Sequence, residues 1–265
     1  MANYKDIHGT NIETVTSDPS NPVEGQVWYN STDQKLRGNK LTTGGSWSTL
    51  TNLNTARDQV AGAGSTTSAL VFGENFGGET ELWNGSSWTE KNDLNTNRRA
   101  LAGAGASGTA ALAFGGNLAS PSPNAATDVT ENFNGTSWTE VGDLNQARSF
   151  PGGTGTNTAA LCFGGSTGAG TNPPITAENE SWNGTSWTEL GDLNSPRNSL
   201  GDAGTTTSAL AFGGSGPTAA TESWNGSAWT EVADLNTARL ALGGAGASNT
   251  EAVAFGGPSS SALTE

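Results

Sequence analysis

Short apolar runs closed by glycine recur along the chain, at Ala69 to Gly73, Ala111 to Gly116, Ala160 to Gly165, Ala209 to Gly214 and Ala252 to Gly257. A run of about four to six apolar residues bounded by turn formers predicts a buried β-strand, strand b. Ahead of each run lies a small-residue segment, such as Ala61-Gly62-Ala63-Gly64 or Ala102-Gly103-Ala104-Gly105, which predicts strand a. After it, Glu-x-aromatic-Asn-Gly marks strand c entering a turn, at Glu81 to Gly85, Glu131 to Gly135, Glu180 to Gly184 and Glu222 to Gly226. Trp88, Trp138, Trp187 and Trp229, just past those turns, mark strand d. Asn-Gly supplies two positions that tolerate positive φ, as a two-residue type I′ hairpin requires. The hairpin sets Trp83, Phe133, Trp182 and Trp224 beside the strand d tryptophans, where aromatic cross-strand contact stabilises each pair.

This four-strand unit is repeated. Leu-Asn opens each copy, at Leu53-Asn54, Leu94-Asn95, Leu144-Asn145, Leu193-Asn194 and Leu235-Asn236, and an arginine follows: Arg57, Arg98, Arg148, Arg197 and Arg239. Periods of roughly 40 to 50 residues belong to propellers and solenoids. One four-stranded sheet cannot bury both faces, whereas radial stacking of several sheets covers them and leaves short edges. The expected fold class is all-β, a five-bladed β-propeller with four antiparallel strands per blade. Four blades are continuous, near residues 57-91, 98-141, 148-190 and 197-232. The fifth joins 239-265 to a strand around 44-50. Thr264-Glu265 matches the Thr-Glu of strand c, and Gly44-Gly45-Ser46-Trp47-Ser48-Thr49-Leu50 aligns with Gly85-Ser86-Ser87-Trp88-Thr89-Glu90-Lys91. Pairing of N- and C-terminal strands then closes the ring and removes the free sheet edge. An open linear stack is the alternative. Residues 1-38 form a leader and 39-265 the propeller.

Low apolar content, 33%, beside 38 glycines would ordinarily signal disorder. Nine tryptophans at regular intervals reverse that reading, because each ring buries roughly 150–250 Å². A net charge of −14 with no Lys/Arg run argues against nucleic acid as a partner. No stretch approaches the roughly 18 apolar residues of a membrane span, and the start lacks the pattern of a secretory signal, so a protein made soluble inside a cell, without membrane insertion, is expected. Cys162, between Leu161 and Phe163, reads as a small packed hydrophobe.

The Gly-Gly after strand b (Gly115-Gly116, Gly164-Gly165, Gly213-Gly214, Gly256-Gly257), the aromatic of strand c and the Trp of strand d resemble the kelch-like propellers, over Trp47 to Glu265. Gly73-Glu74 departs from the doublet, and strand c carries Trp or Phe where kelch repeats usually carry Tyr. In the leader, Asp18-Pro19-Ser20-Asn21-Pro22 and Glu24-Gly25-Gln26-Val27-Trp28-Tyr29-Asn30-Ser31 resemble a short module near the start of propeller-bearing virion proteins of marine tailed bacteriophages. That resemblance implies a fibre, tail appendage or decoration, with other virion proteins as partners and with Tyr4, His8, Trp28 and Tyr29 as attachment residues.

Catalytic chemistry is sparse. His8 is the one histidine and lies outside the repeats, so a triad lacks its base. Copper-radical chemistry would have only His8, Tyr4, Tyr29 and Cys162 as ligands. Sialidase-type propellers set arginines around a carboxylate with a nucleophilic tyrosine, yet both tyrosines precede the repeats. Each arginine also has a repeated glutamate to pair with: Glu81, Glu131, Glu180, Glu222 or Glu265. Glu90, Glu140, Glu189 and Glu231 form a second acidic set that suggests glycoside hydrolysis only in so far as paired carboxylates do that work. The Asn-Gly-Ser/Thr tips match a glycosylation acceptor but are explained by turn geometry. No cofactor or metal is expected.

Function is expected where the repeats differ. The b–c and d–a connections emerge at one end of such a blade, and the two long b–c loops, Asn117 to Asp128 and Ser166 to Asn179, supply Leu118, Asn124, Asn172 and Ile175 as candidate contacts. Arg57, Arg98, Arg148, Arg197 and Arg239 lie near the same end as candidates for an anionic or sugar ligand. The expectation is a non-enzymatic virion protein that binds a host surface glycan or envelope protein, with homo-oligomerisation possible. A purely structural decoration or assembly protein is the alternative, and a glycan-processing enzyme the second.

Overall fold

The computed structural model describes residues 13–17, 27–38, 49–74, 77–118, 125–168, 173–216, 218–257 and 264–265. Two compact units emerge, Met1–Thr49 and Leu50–Glu265. The expected closing strand at 44-50, with Trp47, lies outside the described residues except for Thr49 and Leu50.

In the first unit, β1 (Glu13–Val15) runs parallel to β2 (Val27–Asn30), which pairs antiparallel with β3 (Lys35–Gly38). Buried Asn30 caps the intervening turn, its Oδ1 accepting the backbone N–H groups of Thr32 and Asp33 at 3.0 and 3.1 Å. This is the Asx-turn chemistry that lets a short polar side chain replace a strand partner.

The second unit is all β. Four sheets have the order a-b-c-d: Ala61–Ser65, Ser68–Phe72, Thr80–Trp83 and Trp88–Lys91; then Ala102–Ser107, Ala110–Phe114, Thr130–Phe133 and Trp138–Glu140. The third comprises Gly152–Thr156, Ala159–Phe163, Asn179–Trp182 and Trp187–Glu189, and the fourth Gly201–Thr205, Ser208–Phe212, Thr221–Trp224 and Trp229–Glu231. The fifth pairs Leu242–Ser248 with Glu251–Gly256, and Glu265 adds to it through two backbone bonds with Ala254, at 2.8 and 2.9 Å.

Neighbouring sheets meet along strand a, whose small residues permit the approach. A Cβ on Gly103 or Gly153 would lie 2.6 Å from the ring of Phe72 or Phe114 in the preceding sheet. The strand b phenylalanines also receive the strand d tryptophans of the next sheet: Phe72–Trp138, Phe114–Trp187 and Phe163–Trp229 have centroids 4.9, 5.0 and 4.8 Å apart. The c–d aromatic pairs expected from the sequence are present too, at 5.0 to 5.5 Å.

The hairpin between c and d differs from the type I′ expectation. Only its glycine takes positive φ, 95° at Gly85 and 94° at Gly184. The asparagine instead turns its side chain inward: Asn84 Oδ1 accepts the N–H groups of Ser86 and Ser87 at 3.0 Å, and Asn183 Oδ1 does the same for Thr185 and Ser186. A side-chain carbonyl thus stands in for the missing backbone bond, so the asparagine needs no left-handed conformation.

One joint carries a mismatch. Trp138 Nε1 donates to Thr80 Oγ1 and Trp187 Nε1 to Thr130 Oγ1, both at 3.0 Å across the joint. In the next joint the threonine position is Asn179, and both Trp229 Nε1 and Asn179 Oδ1 are buried without a partner. Asn179→Thr is expected to restore the bond at the loss of the Asn179 Nδ2 bond to exposed Gly191 O (3.2 Å). Stability is expected to rise by about 1 kcal/mol, because the relieved donor is buried while Gly191 O is left to water. An unchanged denaturation midpoint would show that the orphaned pair costs nothing.

Candidate functional site

Five clamps occupy the b–c end. In each, a strand c glutamate accepts both the backbone N–H and the side-chain amide of the Leu-Asn asparagine on one oxygen, as Asn95 does with Glu131 at 2.7 and 2.8 Å and Asn145 with Glu180 at 2.8 and 2.8 Å. The other oxygen faces the repeated arginine. Arg197 Nη2 lies 2.6 Å from Glu222, Arg239 Nη2 2.8 Å from Glu265 and Arg98 Nη2 3.4 Å from Glu131, while Arg57 and Arg148 bond Glu81 and Glu180. Each guanidinium also reaches a backbone carbonyl beside strands b and c, such as Glu178 and Gly164 for Arg148 or Ala220 and Gly213 for Arg197. The d–a connection, the end of strand b and the start of strand c are thereby tied at one point.

These arginine side chains are no more than 2% exposed. The five arginines, expected as contacts for an anionic or sugar ligand, are interior struts with no guanidinium surface to offer. Burial lowers the Arg98 pKa to about 10, partly offset by the charge of Glu131, and leaves it protonated at neutral pH. The Glu265 carboxyl is the outermost of the set. Its desolvation is outweighed by hydrogen bonds from Asn236 and by the Arg239 charge, so its pKa falls below the ordinary value.

Inside the clamps runs a rim of residues with left-handed backbone: Gln59, Ala100, Phe150, Ser199 and Ala241, at φ 51° to 55°. Such values are uncommon for non-glycine residues and strained for one as bulky as Phe150. They are held by a chain of bonds from sheet to sheet. Ala100 N donates to Gln59 O at 2.9 Å, Phe150 N to Ala100 O at 2.7 Å, Ser199 N to Phe150 O at 3.0 Å and Ala241 N to Ser199 O at 2.8 Å.

The b–c loops rise beside this rim. Asn117 and Leu118 pair with Arg99 and Arg98, and Leu118 N donates to Ala125 O, so Leu118 is half-buried and not the free contact that loop placement suggested. Ser166 bridges Ser149 and Ile175, and its hydroxyl accepts the Asn198 amide of the next sheet. Ile175 is 45% exposed. Asn124, Asn172, Tyr4 and His8 lie outside the described residues. Tyr29 is half-buried on β2, the strand that also carries Trp28.

A pocket of about 270 Å³ opens between Asn145, Gln146, Glu178, Glu180 and Glu189. Burial raises the Glu178 pKa against the opposing charge of Arg148. In register, Glu180 faces Glu189 across the c–d pair, yet Glu180 is saturated by clamp donors. The pair therefore does not provide two free carboxyl groups. Among the described residues, no group of three or more His, Cys, Asp or Glu side chains is placed to hold a metal ion.

No family model matches the chain. No curated protein matches it. Solved structures do. The fold is β-propeller-like. The likeness extends to 199 chains, too common a shape to carry a function, and includes the "Structure of YjhT", a propeller-type protein 12% identical over 78% of this chain and 75% of that chain, with a TM-score of 0.67. At that identity the likeness concerns the fold alone.

Of the variable residues straight after each clamp arginine, Asp58, Arg99, Asn198 and Leu240 are candidates that the repeat pattern did not single out, whereas Ser149 is buried against Ser166. The usable signal was there: constant arginines followed by positions that change in every copy.

Proposed function

We propose that this chain is a non-enzymatic virion protein whose b–c end binds a host surface glycan or envelope protein, built on a five-bladed kelch-like propeller closed by its N- and C-terminal strands. The observation that carries the binding reading is the contrast within one end of the fold. The five clamps repeat and are consumed internally, whereas the loops above them and the rim-flanking residues differ from sheet to sheet. Variable loops on a rigid repeated scaffold are the usual place for recognition. The virion assignment rests on the leader's resemblance.

Two features support closure. Asn236 and Arg239 clamp Glu265 as their counterparts clamp Glu81 to Glu222. Trp47 also stands as far before Arg57 as Trp88 does before Arg98 and Trp187 before Arg197, the step that elsewhere leads from one strand d into the next sheet. Deleting residues 40 to 50 is expected to abolish single cooperative unfolding, and an unaltered transition would favour the open stack. The non-enzymatic reading rests on the chemistry available in Leu50–Glu265, which has neither histidine nor tyrosine and whose strand c glutamates are saturated. The fold itself serves both catalysis and binding.

The binding test uses the full chain, tagged, against host cells and an array of envelope glycans. Binding is expected, weakened at least tenfold by Ile175→Asp. Absence of binding, or binding indifferent to that change, would remove the adhesin reading and leave virion architecture as the function.

A further inference from the structure

Charge is distributed unevenly along the strands. From Leu50 to Glu265, every Asp, Glu, Lys and Arg except Glu251 lies on the b–c and d–a connections or on the strand segments nearest them. The opposite end, made of the a–b and c–d turns, is built from Ser, Thr, Asn and Gly. The second residue of the a–b turn is threonine in all five sheets: Thr67, Thr109, Thr158, Thr207 and Thr250, each exposed. Packing does not explain that constancy, because these side chains enter no core. In four of the turns the threonine hydroxyl sits beside a strand a hydroxyl, at 3.4 Å from Ser65, 3.1 Å from Ser107, 3.3 Å from Thr156 and 3.0 Å from Ser248. Strand a is the inner strand, so the hydroxyl pairs follow the inner edge of this end, with the Asn-Gly tips outside them.

We infer that this end, uncharged in four of the five sheets, is a second binding surface, for a neutral hydroxyl-rich glycan. Hydroxyl and amide groups each donate and accept, which matches the alternating donors and acceptors of sugar hydroxyls without selecting for charge. An acidic protein repels polyanions over most of its surface, whereas from Leu50 to Glu265 this end carries a single carboxylate, Glu251 beside the fifth turn, and none at the other four. A second copy of the chain is a poorer fit, since association interfaces need an apolar core. Of the large exposed apolar residues, Leu50, Ile175 and Val232 lie away from these turns, and Val253 alone, three residues past Thr250, is too little for such a core.

Native affinity electrophoresis of the full chain through gels containing dextran, mannan or galactomannan tests the surface. Retardation by at least one of the three is expected, equal at low and high salt because a neutral ligand has no ionic attraction to screen. Thr67→Val, Thr158→Val and Thr207→Val together keep the side-chain shape and are expected to weaken binding at least tenfold. Ile175→Asp, on the other end, is expected to leave it unchanged. Thr158→Asp alone provides an independent disruption if the triple variant folds poorly by circular dichroism. No retardation by any probe, retardation that survives both variants, or self-association abolished by the triple variant would each overturn the inference. Because the variants address opposite ends, loss of the adhesin reading and loss of this one are separately visible.

Discussion

Replacing Glu180 by glutamine is expected to cost about 3–5 kcal/mol of stability, enough to unfold a marginal domain near physiological temperature. The carboxylate is 1% exposed and receives Asn145 twice and Arg148 once. Glutamine keeps the volume but offers one acceptor where the clamp needs two, turns an N–H toward existing donors, and leaves buried Arg148 with only the partly exposed Glu178, at 3.2 Å, as counter-charge. Glu189→Gln, directly across the c–d pair but exposed, is expected to stay within about 0.5 kcal/mol. Urea titration of both variants is the measurement. Equal, small losses would mean that the clamps do not hold the fold together.

Asp202→Asn is expected to act in the opposite direction and only above a certain pH. Asp202 occupies a strand a position that is glycine in the other four sheets (Gly62, Gly103, Gly153 and Gly244), and its Oδ2 accepts one N–H, from Gly153 at 3.2 Å. Burial raises its pKa to about 7, only partly countered by that bond. A raised carboxyl pKa means that the folded state holds the proton more tightly than the unfolded state. The associated stability is therefore full below about pH 4, declines as pH rises toward 7, and is gone above it. Asparagine keeps the acceptor and removes the titration. The variant should match the parent near pH 4 and exceed it by about 2 to 4 kcal/mol at pH 8. Identical stability at pH 8 would show that the carboxylate is solvated well enough to ionise without cost.

Much of this was readable from residue order. Apolar runs ending in Phe-Gly, the Asn-Gly tips and the recurring tryptophans locate the strands, because each acts through local geometry. The Arg-Glu pairing was also legible, since both partners recur at constant positions in each copy. What the pattern concealed was the consequence of that pairing. Constancy near a functional end looks like a site until burial shows that the arginines have no free surface. Contacts between sheets were hidden for a different reason: Phe72 and Trp138, or Trp187 and Thr130, meet only once stacking is known. The hairpins were placed correctly but assigned the wrong internal chemistry, because a side-chain oxygen can replace a backbone one without changing the sequence signal.

The glycine-to-phenylalanine joint has a consequence for how such a chain gains or loses material. Gly103 and Gly153 fit against the phenylalanine of the sheet before them by the same rule, so a duplicated or deleted unit would meet a compatible neighbour on either side. Whole repeats are then the natural currency of change in length. Asp202 interrupts the rule at one joint, where its carboxylate takes the Gly153 N–H and ties the fourth sheet to the third in particular.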